Sequence, residues 1–461
     1  MSVFKTGLFL GASVLMLAGC ASITSREEAG AAARASLPET PKEWAAAQAK
    51  VGDVEVGWIA SFKDPVLSKL VYEAQANNKN IQIAAANVDR SRALARQAGA
   101  ALKPNVNLIA GASESGVLDP GVSNANYSAG VQLNWEIDLW GRIRSKEQAA
   151  SSSAEAAEAD YVFSQYSLAA GVARAYFIAI EAGLQESVAR RTVEALQETA
   201  RIVNVQYENG LASSQDLALT KSDLATAEDT LTATAGAKRD AVRALEILLG
   251  RYPGADLEVR DALPAAPPPP PAGVPSDILE RRPDLIAAER NVAAAFNSLD
   301  SAKAAKLPAI SLTSSIGGSS GSLANLLDPA NVAWTIAGNL VAPLFDGGAR
   351  DAQVQISTAE QKQAVAAYGQ TALEAFGEVE SNLDQGVVLD QRENSLTEAA
   401  SEAKEAYRVA RLRYDEGETD LIDVLSIQRR VFATESNLVS VERLRLEQRV
   451  NLNLALGGSW E

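Results

Sequence analysis

Tyr207-Glu208-Asn209-Gly210 recurs 207 positions later as Tyr414-Asp415-Glu416-Gly417. Three further pairs keep the same order and nearly the same spacing. Lys103-Pro104 matches Leu307-Pro308, Leu139-Trp140-Gly141 matches Phe345-Asp346-Gly347, and Leu249-Gly250 matches Leu456-Gly457. Four landmarks at near-constant offset mark a long internal repeat, so the chain reads as two copies of one unit.

Each copy has the same inner order. A helix comes first, over 64–102 and 276–306, and a proline ends it. Two strand-like runs follow, at 105–113 and 127–139 in the first copy and at 309–316 and 332–341 in the second. Gly/Ser/Asn-rich loops, 114–126 and 317–331, join them. The stretch 142–208 then runs without a proline. As a helix it would extend on the order of 100 Å, far beyond a usual globular helix. After each tyrosine–glycine turn an apolar residue recurs every seventh position. The series are Leu217, Leu224, Leu231, Lys238, Leu245 and Val424, Val431, Leu438, Arg445, Leu452. A basic residue interrupts both at the same place. Such heptads argue for coiled-coil packing, although a self-contained four-helix bundle has the same periodicity.

Between the copies lies 264–275, with five consecutive prolines at Pro267 to Pro271. The run is stiff polyproline II and cannot join a helix. It is read as a strap along a bundle in preference to a linker between independent domains.

The N-terminus reads as an address. Lys5 precedes an apolar run from Gly7 to Leu17 that is too short to span a bilayer. It ends in Leu17-Ala18-Gly19-Cys20, which looks like a bacterial lipobox. Cleavage would leave Cys20 first, its thiol carrying lipid, and Ala21-Ser22 next, without an aspartate, favours outer-membrane sorting. The expected division is a signal peptide 1–19, a lipidated segment 20–61, a first repeat 62–263, the proline-rich linker 264–275 and a second repeat 276–458. No later segment reads as a transmembrane helix.

Composition removes several functions. The net charge of −16 argues against nucleic acid as a partner. With no histidine, Ser-His-Asp and Cys-His catalytic sets are impossible and a metal site would need carboxylates alone. Cys20 is the single cysteine, so no intrachain disulfide forms. No Gly-rich phosphate loop is visible. The expectation is no enzyme, no metal and no cofactor beyond the covalent lipid on Cys20. Four strands per chain are too few to close a barrel. They read either as two surface hairpins or as one chain's share of a barrel built by several chains. Trp135, Trp140, Trp334 and Phe345 near strand ends fit an interfacial aromatic girdle.

Several of these runs resemble the TolC/NodT family of outer membrane factors, from about Phe62 to Gly458. They are Leu279-Glu280-Arg281-Arg282-Pro283-Asp284, the junctions Trp135 to Arg144 and Pro343 to Gly348, and the tips Tyr207 to Gly210 and Tyr414 to Gly417. The resemblance implies a mostly α fold with a small β part. Three chains would share a 12-stranded outer-membrane β-barrel and a periplasmic α-barrel. It implies a homotrimer working with a periplasmic adaptor and an inner-membrane pump, usually of the resistance-nodulation-division class, as a passive efflux duct. At the tip it implies that Asp216 pairs with Tyr414 and that Asp423 lies in the constriction. Ser426 stands where the family has a second aspartate, and Thr419 replaces a basic residue. Two other functions stay open: a type I protein-secretion duct, and a periplasmic coiled-coil scaffold lipoprotein without a pore.

Overall fold

The computed structural model describes residues 24–46, 56–117 and 123–461. Cys20 and the signal-peptide assignment lie outside the described residues. In chain order the helices are α1 (Arg26–Arg34), α2 (Trp58–Ser61), α3 (Pro65–Asn77), α4 (Lys79–Ala100), α5 (Arg142–Glu208), α6 (Ser214–Leu248), α7 (Ile278–Arg281), α8 (Pro283–Ala304), α9 (Ala349–Asp415) and α10 (Leu421–Ala455). The strands are β1 (Asn105–Gly116), β2 (Ser123–Ile137), β3 (Ala309–Ser320) and β4 (Val332–Val341). The repeat is metrical: α5 and α9 have 67 residues each, α6 and α10 have 35, α4 and α8 have 22, and β1 and β3 have 12.

Two single helices expected from sequence are each broken. Asn78 takes an extended conformation (φ −63, ψ 131) between α3 and α4. Its Oδ1 accepts from the N–H groups of Asn80 and Ile81, capping α4, while its Nδ2 donates to the Leu248 carbonyl at 2.8 Å. Arg282 is extended between α7 and α8 because Pro283 follows it and disfavours the helical region. The strands run past their expected ends to Gly116 and Ser320, and β2 begins at Ser123, so the loops are shorter than composition suggested.

One unit holds the four strands and the adjoining helix segments, 86–159 and 286–371, with α1. Its small helical core joins Ala29 and Ala33 to Val292, Ala293 and Tyr368. The other unit holds 160–285 and 372–461 with α2 and α3. There the middle of α5 is fully buried: Ala169, Ala173, Tyr176, Phe177 and Ile180 pack on Trp58, Phe62, Leu67 and Val450. One stretch of α5 is long and apolar enough to cross a membrane. Half of that stretch is buried inside the protein, as its part in this core requires, so its apolarity is that of a core helix. In the same unit the proline strap is held at two carbonyls. Arg449, 2% exposed, donates to Pro267 O, and Trp44 Nε1 donates to Ala272 O.

Candidate functional site

Two places are candidates for the functional site, the sheet and the helical tip.

The four strands form one antiparallel sheet in the order β1-β2-β3-β4. Within each strand the alternation of apolar and polar residues is imperfect, and the register makes it coherent. Val106 faces Leu133, Leu108 faces Val131, and Ala110 faces Ala129. Val131 in turn meets Ile316, Trp135 meets Leu312, and Ile137 meets Ile310. Ile316 meets Trp334 and Ile310 meets Leu340. Because side chains alternate faces with period two, all of these lie on one face, and none bears a formal charge. Several are widely exposed: Leu108 81%, Trp334 72%, Leu340 66%. The other face carries Asn107, Ser128, Gln132, Asn134, Ser311, Thr313, Ser315, Thr335 and Asn339. A sheet that is apolar on one side and polar on the other, with the apolar side bare, is the wall pattern of a water-filled membrane barrel. Among the described residues, the outer edges of β1 and β4 pair with no strand.

Below the sheet, each strand-to-helix junction is tied by hydrogen bonds. Trp140 Nε1 donates to Pro308 O at 2.7 Å and Trp135 Nε1 to Leu102 O at 2.9 Å. Gly141 adopts a positive φ of 74, and Asp138 accepts from the first N–H groups of α5, those of Ile143 and Arg144. Arg142 grips Glu136 with two hydrogen bonds from one nitrogen. Of the other aromatics expected at a girdle, Trp334 and Phe345 are exposed.

The Leu279 to Asp284 run is a clasp. Arg282, 4% exposed, pairs with Asp284 at 2.7 Å and Glu378 at 2.6 Å and donates to the Ala455 carbonyl. It therefore fixes the end of α10 to the start of the second repeat.

At the tip, both hairpins turn through a glycine with positive φ, 72 at Gly210 and 77 at Gly417. The N–H of Gly210 bonds Tyr207 O and that of Gly417 bonds Tyr414 O. Tyr207 is 43% exposed. Tyr414 is half-buried against the cluster of Val203, Leu217, Leu421 and Leu425. Its hydroxyl donates to Gln206 Oε1 at 2.8 Å. The direct Asp216–Tyr414 bond that the resemblance implied is thus replaced. Asp216 instead closes a capping box on α6, accepting from Ser213 N at 3.0 Å and Ser213 Oγ at 2.8 Å. The two remain electrostatic neighbours: burial pushes the Tyr414 hydroxyl above its ordinary pKa, and the Asp216 carboxylate adds to that rise. Asp423 is exposed in the first turn of α10 and accepts from Thr419 Oγ1 at 2.9 Å. Gln206 was not singled out from sequence. Its place one residue before Tyr207, on the turn facing Tyr414, was the available signal.

This sheet and these paired hairpins define a channel of the Gram-negative outer membrane. The sequence pattern of the outer membrane efflux protein family matches residues 70–251 and 274–458, and the chain belongs to that family. It is 30% identical over 472 residues to the toluene efflux pump outer membrane protein TtgF of Pseudomonas putida, covering 99% of this chain and 98% of that protein. It is 29% identical to the pyoverdine export outer membrane protein OpmQ of Pseudomonas aeruginosa, covering 98% and 97%. The structure of the outer-membrane channel OprN superimposes with a TM-score of 0.85 at 28% identity, over 92% of this chain and 98% of that one.

Proposed function

We propose that three copies close their sheets into a 12-stranded barrel and their long helices into a periplasmic conduit. The assembly is the passive outer-membrane duct of a tripartite efflux system. It works with a periplasmic adaptor and an inner-membrane pump, of the resistance-nodulation-division class, that supplies the energy. The duct performs no catalysis and uses no cofactor. A covalent lipid on Cys20 anchors each chain, and Asp216, Tyr414 and Asp423 set the resting state of the tip.

The observation that carries this reading is the two-faced sheet with both edges open. In a bilayer every backbone N–H and C=O needs a partner, so a spanning sheet must close. Four strands cannot do so, whereas twelve form an ordinary outer-membrane barrel. A pore-less scaffold has no use for a bare apolar sheet face. Relatives named for toluene efflux and pyoverdine export favour small molecules over secreted proteins as cargo. Light scattering of the detergent-solubilised protein, with single-channel recording, tests the assembly. A monodisperse monomer that still conducts ions would refute it.

A further inference from the structure

Among the described residues of the polar sheet face, Glu136 alone bears a formal charge. The rows further along that face are neutral. Asn107, Gln132, Ser315 and Thr335 lie side by side in one of them. Ile109, Gly130, Gly317 and Ala333 make another. Glu136 stands at the foot of the sheet, toward the helices, opposite Ser311, which is itself opposite Asn339.

That carboxylate is matched inside its own chain. The turn at Gly141 brings Arg142, the first residue of α5, back beneath β2. Arg142 Nη2 donates to both carboxylate oxygens, at 2.9 and 2.8 Å, and Nε donates to Oε1 at 3.2 Å. The Ser301 hydroxyl donates to the Arg142 carbonyl at 2.9 Å and fixes the backbone under the grip. Both side chains stay about one-third exposed, so the pair keeps its contact with water. Lys103, also exposed, lines the same cleft as Glu136, Asn105 and Asn134. The other ions of the junction are matched one to one: Arg144 with Asp138, Lys306 with Asp351, Arg350 with Asp346. The foot of the sheet therefore holds Arg142 and Lys103 against the single carboxylate of Glu136. Neighbouring copies cannot cancel this excess, because each brings the same set.

A ring of carboxylates alone would make this level of a pore a filter for cations. A guanidinium on each carboxylate removes that preference, and Lys103 tips the balance the other way. We propose that Arg142 and Lys103 form a cationic collar at the foot of the barrel, which favours passage of anionic over cationic small molecules. The inference rests on the three-copy barrel with its polar face inward. Low-dielectric walls focus the excess charge of the collar into the water they enclose. Arg142 is the specificity-determining residue, and Glu136 is its counterweight. Arginine suits the place because it stays charged at any working pH and matches both oxygens of a carboxylate.

The test is planar-bilayer recording of the full-length protein at low salt, with a blocker added from the side of the strands. The blockers are the trianion hydroxypyrenetrisulfonate and the trication hexaamminecobalt(III). The trianion should block at a concentration about tenfold lower than the trication. That preference should vanish at about 1 M salt, where charges are screened within roughly 3 Å. Across variants it should follow the summed charge of the collar. It should strengthen in Glu136→Gln, persist in Arg142→Lys, disappear in Arg142→Gln and reverse in Arg142→Gln combined with Lys103→Gln. Arg142→Lys keeps the charge and gives up the two-oxygen grip, so it separates a field from a staple. Equal effects of Glu136→Gln and Arg142→Gln would make the pair a staple of the junction and overturn the collar. A conducting pore blocked alike by both ions from the strand side overturns the collar alone. A protein that forms no pore refutes the three-copy barrel, and the collar falls with it.

Discussion

Lys238 of α6 reaches back across its hairpin to Glu186 of α5 at 2.9 Å. At the matching place in the second repeat, Arg445 of α10 reaches Glu393 of α9 at 2.5 Å and Asp390 at 2.7 Å. The basic residue that interrupts each heptad is therefore the anchor of a cross-hairpin ion pair. A long stem covers apolar seam while its charged end meets a carboxylate on the opposing helix.

Truncating that anchor has a bounded cost. Lys238 is 42% exposed and Glu186 16%, and Glu186 keeps a second partner in Arg190 at 2.6 Å. Lys238→Ala should lower stability by about 1 kcal/mol. Replacing both partners, Lys238→Leu with Glu186→Leu, should come out near neutral, because no buried charge is left unpaired and Arg190, which loses Glu186, is mostly exposed to water. Denaturant unfolding of the detergent-solubilised protein reads both. A double variant worse than the sum of the singles would contradict the argument.

The same carboxylates set an acid limit. The hydrogen bond from Lys238 holds the Glu186 carboxyl below its ordinary pKa. At Glu246 burial pushes upward, but three backbone N–H donors from Ala255, Asp256 and Leu257 outweigh it and the net shift is downward. A depressed folded-state pKa gives stability that is present above the unfolded value, about 4.3, and is lost as pH falls through the folded one. Thermal stability should be flat from neutral pH to about 5 and then decline. Glu246→Gln should flatten the decline.

The tip should loosen in graded steps. Tyr414→Phe deletes the hydrogen bond to Gln206 and should cost about 1 kcal/mol. Asp216→Asn weakens the cap of α6 by a similar amount. Each should raise the basal single-channel conductance of the reconstituted protein. Gln206→Ala should imitate Tyr414→Phe, and the pair together should be little worse than either alone. Strict additivity would separate the two residues.

Asp423 should govern ion preference. Its carboxylate is exposed and, among the described residues, held by the Thr419 hydroxyl alone. Three copies around a narrow axis would focus a negative field. Asp423→Asn should reduce cation over anion selectivity at low salt and leave unfolding unchanged. Unaltered selectivity would put Asp423 on the outer surface of the conduit.

The anchor has its own test. Cys20→Ser should abolish incorporation of labelled fatty acid and impair sorting to the outer membrane. Label persisting on the variant would refute the lipobox assignment.

Much of this was legible from residues 105 to 417. The repeat offset forecast helices of matching length, and 142–208 was bounded correctly at both ends because glycine sits beyond each. The kink at Asn78 was not legible. Its cause is a carbonyl at Leu248, far along the chain, which no local pattern reports. The two-faced sheet was half legible: Ala, Gly and Ser blur the alternation in each strand, and only the cross-strand register sorts them. At the tip, the resemblance pointed to Asp216 as the partner of Tyr414. Serine at position 213 offers Asp216 a capping box instead, and Gln206 fills the vacancy.

The open edges of β1 and β4 have a genetic consequence. In the proposed trimer each chain offers two different seams, one to each neighbour, so the ring is a head-to-tail closure in which no subunit can be bypassed. A copy whose β4 edge is spoiled, for instance by proline at Ile336, would still present an intact β1 and be accepted on that side. Such a copy would act as a poison, not a null. With equal expression of both forms, about one ring in eight would consist only of sound chains. Export in a merodiploid strain should fall well below half, whereas a deletion allele in the same position should be recessive.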